Sequence, residues 1–327
     1  MSADTFVPFP QPNYTLNWIP PEDRNVLQTR ITDEFHEDIG EWGDLAFDVR
    51  DIPTRFLDYE LEKRVTGELL PRPYQFSGSC VGVGWWRAYC AAMLGDIVIR
   101  GDVEDVKLAF PFATYGVGRH LAGMRGRGEG SFGGAQAKAG AQFGALAIDH
   151  PKVPKGTVSN GWLQYSKSIE LEWSYSPKFP VAVEELEADS KPHAIGQYKR
   201  LRSSKDVMEA KAQGYGVTLA SNFGTRGARV VDEILLAEWN GSWAHQMSCA
   251  GYWNHPSLDL IFPIDNQWKD VHGKCPTLHP LGVTGTFWIK AATMDRICET
   301  GEVYAHTATG GFKLTSVDWK NLGITFA

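Results

Sequence analysis

The run at residues 79–94, SCVGVGWWRAYCAAML, has no proline and only scattered polar side chains. It predicts a helix that is apolar nearly all round and therefore central and buried, with Gly95 as its stop. Mixed runs predict further helices over residues 112–124, 134–146 and 204–213, the last with Ser204 as its cap. In the second half the pattern changes. Residues 216–222, 245–253, 258–264 and 283–289 are short, mostly apolar runs bounded by Gly, Pro, Asn or Asp, and they predict strands. Helices first and strands afterwards predict an α+β fold, not alternating βαβ units. Residues 1–70 are rich in Pro, Asp, Glu and Trp with weak periodicity. They predict an extension with one helix near 23–36, packed along the outside of the domain or on a partner chain. The domain itself is expected over 71–327, helical to about 165 and strand-rich from 166 to 300, with a tail over 301–327.

Composition narrows the picture. A chain of 327 residues, 43% hydrophobic and 22% charged, buries a core without staples and is neither disordered, collagenous nor a coiled coil. The net charge of −7 is spread along the chain. The one basic cluster, Arg119, Arg125 and Arg127 between glycines, reads as a solvated helix end and loop, so no nucleic-acid partner is expected. No basic segment followed by an apolar run opens the chain, and no window approaches 18 apolar residues, so neither a signal peptide nor a membrane partner is expected. Five cysteines, at 80, 90, 249, 275 and 298, are odd in number and irregular in spacing. They predict no disulfide framework and a reducing setting, the cytoplasm or a virion. His272, Cys275 and His279 have zinc-like spacing but lack an evident fourth ligand, so no metal or other cofactor is expected.

The chemistry-bearing feature is Gly78-Ser79-Cys80 at the start of the buried helix. A helix N-terminus favours the thiolate, the nucleophilic form of cysteine, although a free cysteine also packs as an inert small hydrophobe. A nucleophile needs a base, and the base needs an orienting group. His245 begins one predicted strand and Asn266 ends the next; if those strands pair, the Asn carbonyl oxygen accepts from the imidazole and fixes its tautomer.

Taken in order, Gln75, Gly78-Ser79-Cys80, Gly133-Gly134, His245 and Asn266-Gln267-Trp268 resemble the papain family of cysteine peptidases. The likeness extends through AFPFATYGVGRHLAGM, SKDVMEAKAQGYGVTLASNF and GTFWIK, and covers about residues 70–300. It implies a papain-like fold, with a helical half and an antiparallel barrel-like half flanking a cleft. It implies a peptide or protein substrate, Cys80 as nucleophile, His245 as base and Asn266 as its orienter. By the same resemblance the Cys80 N–H and Gln75 hold the oxyanion, Trp268 shields the His–Asn bond, and Ser79, Gly133 and Gly134 line the substrate. The family's half-cystine three before the nucleophile is Ser77 here, and its partner is Ser131. Gln75 stands five residues before Cys80 where the family has six, and Lys269 replaces a glycine after the Asn-x-Trp.

Two functions of different class follow. One is a peptidase or amidase working through a thioester. The other is a structural or assembly protein on the same fold, for instance in a phage particle, with partner chains of a larger assembly. Acyl transfer of the transglutaminase type is disfavoured, because those enzymes use Asp where this chain has Asn266.

Overall fold

The computed structural model describes residues 5–9, 18–37, 52–102, 106–268 and 285–307. The N-terminal part holds β1 (Thr5–Pro8), α1 (Val26–Glu37), β2 (Arg55–Leu57), α2 (Asp58–Thr66) and β3 (Arg72–Pro73). A helical part follows with α3 (Cys80–Ile99), α4 (Pro111–Leu121), α5 (Gly133–Gln142), β4 (Thr157–Ser159), β5 (Trp162–Gln164), α6 (Lys167–Tyr175) and α7 (Val183–Ser190). The remainder is β6 (Tyr198–Arg200), α8 (Ser204–Ala212), β7 (Gly216–Gly224), β8 (Gly227–Val231), β9 (Ile234–Ala237), β10 (Gly241–Cys249), β11 (Gly251–His255), β12 (Asp259–Asp265), β13 (Thr286–Lys290), α9 (Ala291–Thr300) and β14 (Glu302–His306). The fold is α+β.

The apolar run forms the central helix. From Cys80 to Asp96 every residue of α3 is buried, including both Trp85 and Trp86. The helix does not stop at Gly95 but runs on to Ile99. A Cβ on Gly95 would stand 2.1 Å from the Gly214 carbonyl oxygen, so this glycine serves close packing and not termination. The expected helix from 134 begins at Gly133 and ends early, at Gln142, before Gly144 with φ +90°. Helix α8 is capped by Ser203 and not Ser204: the Ser203 Oγ accepts from Asp206 N at 3.1 Å.

Among the described residues eleven strands form one large sheet in the order β1-β8-β9-β13-β12-β10-β7-β14-β6, with β11 bridging β12 and β2, while β3, β5 and β4 form a separate small sheet. The pairs of the large sheet are antiparallel except β13 with β9. Among the described residues no closed barrel forms. The single strand expected over 245–253 divides at Ala250, so that β10 pairs with β7 and β12 while β11 pairs with β2. The corner needs Gly251, at φ +146°, where a Cβ would fall 2.1 Å from the Phe56 carbonyl oxygen.

Helix α3 lies on β10. A Cβ on Gly84 would come within 3.2 Å of Gln246 and Met247, and Gln246 Nε2 donates to the Val81 carbonyl at 2.9 Å. The residue after Cys80 is thus bonded to the residue after His245, which sets the first turn of the helix beside that point of the strand.

Candidate active site

His245 is fully buried on β10, and Asn266 directly follows β12. The two strands pair antiparallel, and His245 Nε2 lies 3.0 Å from Asn266 Oδ1. With Asn266 Oδ1 also accepting from Gln267 N at 2.7 Å, the oxygen faces donors on both sides. The imidazole therefore carries its proton on Nε2, which leaves Nδ1 as the basic atom, and among the described residues Nδ1 has no hydrogen-bond partner. The Trp268 ring covers this pair, its centroid 4.4 Å from that of His245, and is backed by Trp243 at 4.9 Å. Burial pulls the His245 pKa down to about 3, against the opposing hydrogen bond with Asn266. Cys80 is the first residue of α3 and is also wholly buried. Both side chains are shut off from solvent, and the imidazole is neutral at ordinary pH.

The loop ahead of Cys80 is held by carboxylates. Buried Glu170 on α6 accepts from Phe76 N at 2.9 Å, Ser77 N at 2.9 Å, Ser79 Oγ at 2.7 Å and the Ser77 hydroxyl. Burial raises its pKa while those hydrogen bonds oppose the rise. Gly78 N donates to Glu129 at 2.7 Å, and Tyr115 Oη donates to the Gly78 carbonyl at 2.9 Å. Where the resemblance places a half-cystine, Ser77 is fixed by hydrogen bonds to an acid. Gln75 is buried and its Nε2 donates to the Ser77 carbonyl at 2.5 Å. Glu170→Gln would set an amide N–H against backbone donors, leaving one or more buried groups unpaired at about 1–3 kcal/mol each. The expected result is a thermal midpoint lower by at least about 2–4 °C, and an unchanged midpoint in calorimetry would contradict this brace.

The N-terminal segment does not stay on the outside. Trp18 N donates to the Ala244 carbonyl, next to His245, at 2.9 Å, and Ile19 N donates to the Ser131 carbonyl at 2.8 Å. Trp18 is 2% exposed and belongs to the same packed cluster as Cys80, Val81, Tyr115 and Phe132. Residues 18–19 therefore strap the helical half to the sheet across the candidate site, contrary to the expectation that residues 1–70 pack along the outside of the domain. Trp18 Nε1 donates to Glu302 at 2.8 Å, and Arg24 pairs with Glu302 at 2.5 Å while donating to the Ile19 carbonyl at 2.9 Å. Gly133 N and Gly134 N point to the same carboxylate, at 3.1 and 3.4 Å. The sequence gives no sign of this arrangement, because Glu302 and Trp18 stand 284 positions apart.

Asn266 rests on a buried ionic network. Its neighbour Asp265 accepts from Arg87 Nε at 3.0 Å, Thr286 Oγ1 at 2.8 Å and the Tyr59 hydroxyl, and Arg87 and Arg72 both reach Glu62, at 2.7 and 3.0 Å. Burial raises the Glu62 and Asp265 pKa values, but the guanidiniums outweigh it and both end lowered. Their stabilising contribution is present above the ordinary carboxylate range and is lost as pH falls below it. The histidines act sooner. Burial holds His245 and His306 at about 3, so between 3 and 6.5 the unfolded chain takes up protons that the folded chain refuses. Stability falls with pH there, by about 2 kcal/mol per histidine at pH 5. Asp58 and Glu170, whose pKa values burial raises, work in the opposite sense at the acid end. The urea midpoint is expected to drop between pH 7.5 and pH 5, less so in His306→Asn; an equal drop in both would refute the histidine term.

Cys90, Cys249 and Cys298 are buried, and burial pushes each thiol up to about 12, so they are poor nucleophiles. Among the described residues the cysteines are unbridged, no group of His, Cys, Asp and Glu is arranged to hold a metal, and no helix is long and apolar enough to cross a membrane. His272, Cys275 and His279 lie outside the described residues.

No protein-family model matches the sequence, and no curated protein matches it. Solved structures do. Xylellain, a cysteine protease from Xylella fastidiosa, superposes with a TM-score of 0.55 at 14% identity, covering 93% of this chain and 100% of that one. The proform of Amb a 11, a cysteine protease and major ragweed pollen allergen, gives 0.50 at 10% identity, over 82% of this chain and 70% of that one. At these identities the likeness is one of architecture: the chain has the fold of papain-like cysteine proteases.

Proposed function

We propose that this chain is a cysteine peptidase or amidase held in a latent form by its own residues 18–24. The observation that carries the reading is the His245–Asn266 bond, 3.0 Å long under Trp268, beside the first turn of a helix that begins with Cys80. In the opened site His245 Nδ1 takes the Cys80 thiol proton and the sulfur attacks a substrate carbonyl carbon. The C–N bond breaks as the imidazolium gives that proton to the leaving amine, and a thioester remains. Water, deprotonated by His245, attacks the thioester, releasing the carboxylic acid and restoring the thiol. The Cys80 N–H, in the first turn where helix donors lack intrahelical partners, stabilises the oxyanion. Asn266 holds the productive tautomer.

The reading is tested with a pooled peptide library digested by the full chain and by Arg24→Ala, products being read by mass spectrometry. Cleavage by Arg24→Ala that disappears with His245→Ala is the expected result. No cleavage by an Arg24→Ala chain whose Cys80 reacts freely with iodoacetamide would refute it. A structural or assembly role, in a virion for instance, is the second reading. It draws support from Gln75, whose amide is committed to the Ser77 carbonyl.

A further inference from the structure

Three glutamines border the reacting groups, and their amides are used differently. Gln75, to which the resemblance gives the oxyanion, is turned back on its own loop, where its Nε2 donates to the Ser77 carbonyl at 2.5 Å. Gln246, the residue after His245, donates through Nε2 to the Val81 carbonyl at 2.9 Å. Gln267 stands between Asn266 and Trp268 and is 2% exposed, yet among the described residues neither its amide nitrogen nor its amide oxygen has a hydrogen-bond partner. A buried amide left unpaired is costly and uncommon, so one kept in that state marks a place for a partner.

Its surroundings say which partner. The Gln267 carbonyl accepts from Gln75 N at 3.4 Å, which ties this residue to the loop that leads into Cys80. Short of a hydrogen bond, its side chain still acts on the base, opposing the fall that burial imposes on the His245 pKa. Asn266 before it holds His245 Nε2 at 3.0 Å, and Trp268 after it covers the ring at 4.4 Å. Gln267 is thus fixed between the loop before the nucleophile and the base, where the oxygen of an attacked carbonyl gathers charge. That charge is stabilised by donors already in place, of which the Cys80 N–H is one. We propose that the side-chain amide of Gln267 is the second oxyanion donor, in place of Gln75. As the Cys80 sulfur bonds to the carbonyl carbon, the C=O π pair moves onto oxygen and Gln267 Nε2–H donates to it. As the pair returns, the C–N bond breaks and the amine leaves with the proton from His245. The inference rests on the peptidase reading, because only acyl transfer creates this oxyanion.

The experiment uses the full Trp18→Ala, Arg24→Ala chain and a peptide that it cleaves. Gln267→Met, of similar size but without a donor, is expected to lower kcat by about 10²- to 10³-fold, with KM within about threefold. Alkylation of Cys80 by iodoacetamide displaces iodide and makes no oxyanion, so its rate should stay within about threefold. A merely structural role would slow both reactions together. Gln267→Glu keeps the shape but sets a carboxylate against the developing charge, and should lose at least as much kcat. An unchanged kcat in Gln267→Met, full activity in Gln267→Glu, or alkylation slowed as much as kcat overturns the proposal. So does a fall of about 10²-fold in Gln75→Met with none in Gln267→Met, which would return the role to Gln75. The two readings fail differently. Cleavage that survives in both Gln267 variants removes the donor and keeps the peptidase. No cleavage by the Trp18→Ala, Arg24→Ala chain itself removes the peptidase, and the donor with it.

Discussion

Cys80→Ala in the Arg24→Ala chain is expected to lower kcat/KM on a cleaved peptide by at least about 10⁴-fold. The thermal midpoint should move by only a few degrees, roughly 2–4 °C, because one sulfur is lost from a packed cluster and alanine is the best helix former. Cys80 begins α3 and the other described cysteines are buried with raised thiol pKa values, so among the described residues no second sulfur stands ready to replace it. His245→Ala should cost about as much, and the double variant little more, since the two groups act as a unit. Asn266→Ala should lose less, because it orients the base without transferring a proton. Retained activity in Cys80→Ala would remove this cysteine from the chemistry.

The second large effect concerns access. Arg24 and Glu302 are 1% and 2% exposed, so Arg24→Ala leaves a buried carboxylate without its cation. Removing one partner of such a pair costs about 3–5 kcal/mol, a shift of roughly 10²- to 10⁴-fold towards the open strap. The alkylation rate of Cys80 by iodoacetamide, followed by peptide mass mapping at pH 7.5, is expected to rise by that factor. Cys90, which lies deeper in α3, should stay protected. If both cysteines become reactive together the variant has unfolded, and if Cys80 reacts no faster than in the parent chain the Arg24–Glu302 pair is not what holds the strap.

Much of the candidate site was legible because its signals are local. A proline-free apolar run marks α3, and a Gly-Ser-Cys at its head marks the position where a thiolate is favoured. His245 and Asn266 stood on or at the end of runs whose pairing could be anticipated. What escaped the sequence depends on distant backbone. Gly95 looks like a helix stop until the Gly214 carbonyl against it is known, and the run at 245–253 looks like one strand until Gly251 turns it towards β2. Glu170 sits in a helix with other charged residues and reads as a solvated side chain, yet it is buried and binds the loop before Cys80. The strap was invisible for a simpler reason. Its anchors are the carbonyls of Ser131 and Ala244, and backbone acceptors have no residue-type signature.

The most direct test of the account is labelling of the full Trp18→Ala, Arg24→Ala chain with a peptidyl chloromethyl ketone, at one equivalent and neutral pH, followed by tryptic mass mapping. The account predicts one adduct, on Cys80, which disappears when His245 is replaced by alanine in a chain that still unfolds cooperatively. An adduct on another cysteine, or one on Cys80 that forms equally well without His245, would contradict it.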